Sequence, residues 1–251
     1  MTEELLCLAV ELGEKLLLSG AEVSRVEESL TRICAAYGAK RCDVYCTTSS
    51  IIVSVEQQNG HVITQTRRIA SISTDIEKLD CLNNISRYIA SEKPSAVVVK
   101  ERLAEADAIK HYHPTLIIFC YALIAGAFTL FFGAKTFLEI IFSFLIGGFI
   151  GIINMYGEKF GLQKLVLKLL CSFCACMLAF LAAKLPIIPT VDKIIIGNVM
   201  SLIPGIGLTN AMRDLFTGDV NTGILRSIDA LLLGVAIAAG YILSAFLMGG
   251  V

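Results

Sequence analysis

After residue 113 the chain carries five apolar runs, each close to the roughly 20 residues a helix needs to cross a bilayer. They read as 115–132, 137–156, 162–183, 191–212 and 228–248. A bilayer core offers no water to unpaired backbone groups, so runs of this length are read as helices packed against one another. The first run has no charge and the second only Glu139, near its start. The third holds Lys164 and Lys168 in its first two turns, where long side chains can snorkel to the interface. Asp229 opens the fifth.

Charge divides the chain in two. Residues 1–113 hold 13 of the 21 Lys and Arg and 16 of the 22 Asp and Glu. Together with a mean hydropathy of +0.73, this predicts an α+β cytoplasmic N-terminal domain, residues 1–113, followed by an all-α membrane domain of five transmembrane helices, residues 114–251. The boundary falls near Lys110–Pro114. A net charge of −1 argues against a nucleic-acid partner. Nine cysteines match no disulfide framework, and five of them, Cys7, Cys34, Cys42, Cys46 and Cys81, fall in the polar domain, which fits a reducing compartment. Glu3, Glu4, Glu11 and Glu14 precede any long apolar run, so the N-terminus does not read as a secretory signal.

Within the polar domain, residues 3–18 place Leu5, Leu6, Ala9, Leu12, Leu16 and Leu17 on one helical stripe. A second helix turns Val23, Val26, Leu30, Ile33, Cys34 and Tyr37 inward and stops at Gly38. Ser19 and Glu22 have the spacing of a capping box at its start. Ile51, Val53 and Val55 alternate with Ile52, Ser54 and Glu56, Asn59-Gly60 supplies a turn into His61–Thr66, and Arg41–Thr47 is a third strand. Ile72 to Ile89 and Val99 to Lys110 return to helical spacing. Thr47, Thr48, Ser49 and Ser50 have neither an elbow glycine pattern nor an obvious base, so a hydrolase reading is weak. His61, His111 and His113 read as exposed or interfacial. Cys171, Cys174 and Cys176 do not share one helix face and have no histidine nearby, so no metal site, catalytic group or cofactor is expected.

The short loops orient the membrane domain. With the N-terminal domain inside, Lys100, Arg102, Lys110, Lys159, Lys164, Lys168, Arg213 and Arg226 flank the inner side. Only Lys135, Lys184 and Lys193 flank the outer side. That asymmetry satisfies the positive-inside rule and sends the C-terminus, Gly249-Gly250-Val251, outside.

The fourth run is interrupted. Val191–Ile203 is 13 residues, roughly 20 Å of helix and too short to cross alone, and Pro204, Gly205 and Gly207 follow. Proline removes an amide donor and clashes with the preceding turn. One reading is a new half-helix after Pro204 whose first amides and positive dipole end face a carboxylate. The other is a simple proline kink with glycines for close packing. Asn198, Thr209 and Asn210 flank the break, and each needs a hydrogen-bond partner in lipid. Beyond it, RDLFTGDVNTGILR offers Arg213 to a substrate carboxylate, with Asp214 and Asp219 for an ammonium group or a coupling proton. The same stretch also reads as a connector of ordinary turn residues, with Asp219 capping the segment after it. Asp229, three residues after Arg226, is either its intramembrane partner or an interfacial residue. Asn154 and Glu139 are lone polar groups in the second run.

The stretches LLLSGAEVSRVEESLTRICAAYG and PGIGLTNAMRDLFTGDVNTGILR resemble the threonine/serine exporter family, specifically its larger N-terminal component. Gly20, Ala21, Arg25, Val26, Glu27 and Gly38 match in the first. Pro204, Gly205, Asn210, Asp214, Gly218, Asp219, Gly223 and Arg226 match in the second. The resemblance implies a secondary transporter exporting small amino acids, or in some relatives dicarboxylates, across the plasma membrane. Pro204, Gly205, Gly207, Thr209, Asn210 and Arg213 would meet a small carboxylate-bearing substrate. Asp214, Asp219, Arg226 and Asp229 would couple or gate, and Gly20, Arg25 and Glu27 form a motif of open role. Longer relatives join two five-span halves, so a chain of five spans implies a second small five-span membrane subunit of the same family. The rival expectation is a membrane-anchored enzyme or sensor whose N-terminal domain carries the activity; a tether needs one span and no intramembrane break.

Overall fold

The computed structural model describes all residues except 70, 71, 110, 111, 185–187, 189 and 249–251. The expectations that rest on Lys110, on His111 and on Gly249-Gly250-Val251 lie outside the described residues. The chain forms two compact units, Met1–Lys110 with Thr209–Arg226, and His111–Leu208 with Ser227–Val251.

In the first unit, α1 (Glu3–Leu18) starts at Thr2, whose side chain accepts the Leu5 amide, and Glu3 and Glu4 complement the positive end of its dipole. It buries Leu6, Leu12, Leu16 and Leu17. The helix closes as the amides of Gly20 and Ala21 turn back to the carbonyls of Leu17 and Leu16. Gly20 takes φ +97° there, and a Cβ would stand 3.0 Å from the Ser73 carbonyl. Only glycine fits that corner. The expected capping box does not form. α2 (Val23–Ala36) has Glu22 at its N-cap with no side-chain cap, because Ser19 is consumed in ending α1: its amide bonds the Lys15 carbonyl and its own carbonyl accepts the Asp75 amide. Gly38, at φ +77°, stops α2 as expected.

The strands β1 (Arg41–Cys46), β2 (Ser50–Glu56) and β3 (Val62–Arg68) form an antiparallel meander in the order β1-β2-β3. Ile51, Val53 and Val55 are buried, so the period-two face meets the helices. The connection after β2 is longer than a two-residue turn: the Gln57 amide bonds the His61 carbonyl, and Gly60 has φ +82°. Asp75 caps α3 (Ile76–Glu92) by accepting the Lys78 amide, which moves its start beyond Ile72. α4 (Ala96–Asp107) completes the layer and buries Val99 and Leu103.

The second unit contains α5 (Pro114–Phe131), α6 (Phe137–Lys159), α7 (Lys164–Ala183) and α8 (Val191–Met200). α9 (Gly205–Thr217) and α10 (Val220–Leu247) contribute Gly205–Leu208 and Ser227 onward. α5, α6, α7 and α10 are long and apolar enough to cross a membrane, and α8 with α9, bent by 56° across Ser201–Pro204, makes a fifth span if counted together. Close approach is achieved by leaving side chains out: a Cβ on Gly147 would lie 2.5 Å from the Ala125 Cβ, and one on Gly197 would lie 2.0 Å from Thr129 Oγ1. A buried network crosses the same seam. Thr129 Oγ1 and Asn198 Nδ2 both donate to Ser143 Oγ, at 2.6 and 2.9 Å, and Ser143 donates to the Ala125 carbonyl.

Glu139 is fully buried. Its carboxylate accepts the amides of Lys135 and Thr136 at the start of α6, and the amide and hydroxyl of Thr190 at the start of α8. It ties two helix N-termini together, where orphan amides and the helix dipoles favour an anion. The Thr136-x-x-Glu139 spacing in the sequence is the signal for this role.

Candidate functional site

The two motifs of the sequence meet in the first unit. What reads as a charged loop is almost entirely helical: only Gly218 and Asp219 separate α9 from α10, with Gly218 at φ +98°. The Asp219 amide bonds the Asp214 carbonyl, and the Asp219 carbonyl accepts the Gly223 amide, which starts α10 eight residues before the expected Ile228. Gly223 allows the corner to close, since a Cβ there would sit 2.6 Å from Leu215 Cγ.

This corner presents its charges to the α1–α2 turn. Arg226 Nη2 donates to the Ala21 carbonyl at 3.1 Å, and Nη1 stands 2.9 Å from Asp214 Oδ2. Asp214 is 1% exposed. The contact is ionic without hydrogen-bond alignment, so neither Oδ2 nor Nη1 has a hydrogen-bond partner among the described residues. A buried charge is tolerated only when paired, and each of these residues is the other's condition for burial. Arg213, exposed on α9, pairs with Glu22. By its spacing Glu22 reads as half of a cap, and no sequence pattern signals this pairing, because 191 residues separate the partners.

Glu27 accepts the Cys46 amide at 2.8 Å, fastening α2 to the end of β1. Burial, with the nearby charge of Asp219, holds its carboxyl above the ordinary range. Asp219 thus stands close enough to act on Glu27, which brings one residue of each motif together. Arg25 is exposed and enters no ion pair among the described residues. Gly20 has the backbone role described above. Asp229 is exposed on α10, and Arg226 pairs with Asp214 in its place.

At the break, α9 starts at Gly205, and the Pro204 carbonyl accepts the Leu208 amide. Gly205, Gly207 and Thr209 are exposed and Asn210 is half-buried. A Cβ on Gly205 would meet nothing within 4 Å, and one on Gly207 only the Pro204 ring at 3.8 Å. Among the described residues, neither glycine stands at a close contact that a methyl group would break. Pro204 and Leu208 border an apolar cavity of about 820 Å³ in the second unit, where α8 and α10 supply Val191, Val199, Val235 and Tyr241. Asp192 is the one carboxylate among its described lining residues. Among the described residues, no group of three or more His, Cys, Asp or Glu could hold a metal ion.

A family model described as "Putative threonine/serine exporter" matches residues 7–248. The chain belongs to this family. A "Probable threonine/serine exporter" of Mycobacterium tuberculosis is 24% identical, over 97% of this chain and 46% of that protein. Two proteins named "Probable succinate transporter subunit YjjP" are each 23% identical. That of Klebsiella aerogenes matches over 96% of this chain and 93% of its own length, and that of Escherichia coli over 96% and 94%. The chain therefore spans about half the length of the mycobacterial relative and nearly all of the two enteric ones. No solved structure matches it. With the family and the apolar helices together, the chain is a multi-pass membrane protein.

Proposed function

We propose that this chain is one subunit of a secondary transporter that exports small amino acids of the threonine/serine kind, or dicarboxylates, across the plasma membrane. Members of the family and near relatives carry both kinds of name, and the two substrate classes share a carboxylate. The observation that carries the reading is the break at Pro204: a half-helix starts at Gly205, where a Cβ would meet nothing within 4 Å, and one on Gly207 would meet only Pro204. A helix start inside a span is a feature of transport paths rather than of anchors. Gly205 and Gly207 leave that end accessible to a carboxylate, with Thr209, Asn210 and Arg213 further along the same helix.

The corner at Asp214, Asp219 and Arg226 acts as the coupling or gating element, because its charges are joined to the α1–α2 turn by contacts that can be made or released. The N-terminal unit faces the cytoplasm and the C-terminus the outside, by the charge bias of the loops. A second small five-span subunit supplies the other half of the translocation path, consistent with the word "subunit" in the names of the enteric relatives.

The test is efflux of labelled threonine, serine and succinate from cells with and without the chain and a co-expressed five-span partner. Export above the control in the paired strain supports the reading. Equal loss of label with and without the chain, for all three solutes, would sink it.

A further inference from the structure

α5, α6 and α7 bring a second polar cluster together in the membrane unit, away from the break. Asn154, 7% exposed on α6, donates through Nδ2 to Glu158 Oε1 at 2.8 Å and accepts at Oδ1 from Lys168 Nζ at 3.1 Å. Lys168 is half-buried on α7. Its side chain is turned onto the α6 face. Gly151 and Asn154 lie one turn apart on that face, and the Tyr121 side chain of α5 packs where a Gly151 side chain would be, with its Cβ 3.0 Å and its ring Cγ 3.2 Å from the Cβ position. The Tyr121 phenol lies within electrostatic reach of Glu158 and Cys171, and Lys168 within reach of the same two groups.

The charge of Lys168 is incompletely matched. No ion pair among the described residues includes it, and Glu158, exposed at the other end of the relay, is joined to it by hydrogen bonds through the Asn154 amide and otherwise acts on it from a distance. An ammonium has three donors, and a single amide oxygen takes one. A cation in a membrane unit held by a neutral hydrogen-bonding side chain, with donors to spare, is oriented for an anion. Ionisable groups within spans mark substrate or ion paths by default.

We propose that Lys168, positioned by Asn154, binds the carboxylate of the transported solute. The proposal rests on the transport reading in taking the anion to be a solute. It adds a binding group on α7 that is separate from the broken helix.

The test measures efflux KM for labelled threonine and succinate in a host lacking its own copy, with wild-type chain, Lys168→Gln and Lys168→Arg expressed with the partner at equal membrane levels. Loss of one charge-assisted hydrogen bond raises KM by roughly tenfold or more, so Lys168→Gln is expected to show that rise for at least one solute, with maximal rate largely kept. Lys168→Arg keeps the charge and restores most of the affinity. Wild-type KM in Lys168→Gln, or a fall in maximal rate at unchanged KM, overturns the proposal and leaves the transport reading standing. Wild-type cells that export neither solute overturn the transport reading itself. A lipid phosphate is the competing anion. Purified wild-type chain protected against thermal unfolding by phosphatidylglycerol vesicles, but not by phosphatidylcholine vesicles, succinate or threonine, with that protection lost in Lys168→Gln, assigns the ammonium to a headgroup and overturns the proposal. Should Lys168→Gln fail to reach the membrane, Asn154→Leu, which frees the ammonium from its holder, is expected to raise KM in the same direction; an unchanged KM there overturns the proposal equally.

Discussion

Arg226 Nη1 stands 2.9 Å from Asp214 Oδ2, joining the first turns of α10 to the last turns of α9. Through its other nitrogen Arg226 also holds the carbonyl of Ala21 in the turn between α1 and α2. One guanidinium therefore binds the two stretches in which the chain resembles its family, and both partners lose most of their solvent in doing so.

Removing one member of that pair strands the other. Asp214→Ala and Arg226→Ala are each expected to destabilise the protein by about 3 kcal/mol or more, the cost of an uncompensated buried charge. The double change Asp214→Ala with Arg226→Ala should cost less than the sum of the two singles. Thermal unfolding of the detergent-purified variants checks this, and additive losses would mean that the two side chains are not coupled.

Glu139 serves four donors from two helix starts. Glu139→Ala takes the acceptor from three part-buried backbone amides, for an expected loss of about 3 kcal/mol or more. Glu139→Gln keeps an acceptor oxygen and should fall between Ala and wild type. Unfolding midpoints of the three proteins give the order.

Glycine positions separate packing from function. Gly197→Ala puts a methyl 2.0 Å from Thr129 Oγ1 and 2.8 Å from the Thr129 amide, which forces α5 and α8 apart and is expected to cost about 1–3 kcal/mol. Gly205→Ala meets nothing within 4 Å, so stability should hold or rise by up to about 1 kcal/mol while efflux falls. Unfolding midpoint and efflux rate, measured side by side, decide it; unimpaired efflux in Gly205→Ala would remove the helix start from the substrate path.

The raised carboxyl of Glu27 makes a pH prediction of definite sign. Its folded value lies above the unfolded one, through burial first and then the charge of Asp219. The stabilisation it contributes is full below the ordinary carboxylate value, about 4.3, and is lost as pH rises through the raised folded value. The stability difference between wild type and Glu27→Gln should therefore shift against wild type as pH climbs across that window. Asp219→Asn removes the repulsion and moves the loss to lower pH. Unfolding midpoints of all three proteins from about pH 4 to pH 7 test it; parallel curves would show that Glu27 does not titrate differently on folding.

Much of this architecture is legible in the amino acids because it arises from local rules. Apolar runs of bilayer length, the period-two alternation of Ile51, Val53 and Val55, and the glycine stop at Gly38 all depend on near neighbours. A break at Pro204 is legible for the same reason, since proline within a helix removes an amide donor and clashes with the preceding turn; whether it bends the span or restarts it is not. The role of Glu139 is signalled by its spacing to Thr136, although its second partner Thr190 is not.

The pairings are of another kind. Whether Ser19 caps the second helix or ends the first depends on which carbonyls and amides Gly20 and Asp75 bring to it. Arg226 has Asp229 one turn away along the helix and Asp214 across a corner, and composition gives no reason to choose. Gly218 and Gly223 make the choice, by letting α9 and α10 close tightly enough for Asp214 to be the nearer carboxylate. Lys168 reads as a snorkelling side chain, and nothing in its spacing names Asn154 as its partner. Where the chain can be helix, strand or break is written in the amino acids alone, since those preferences are set by each residue's own backbone and its immediate neighbours. Which charge meets which is settled only once the chain has packed, because electrostatic partners are selected by distance in space, and Glu22 and Arg213 are neighbours there alone.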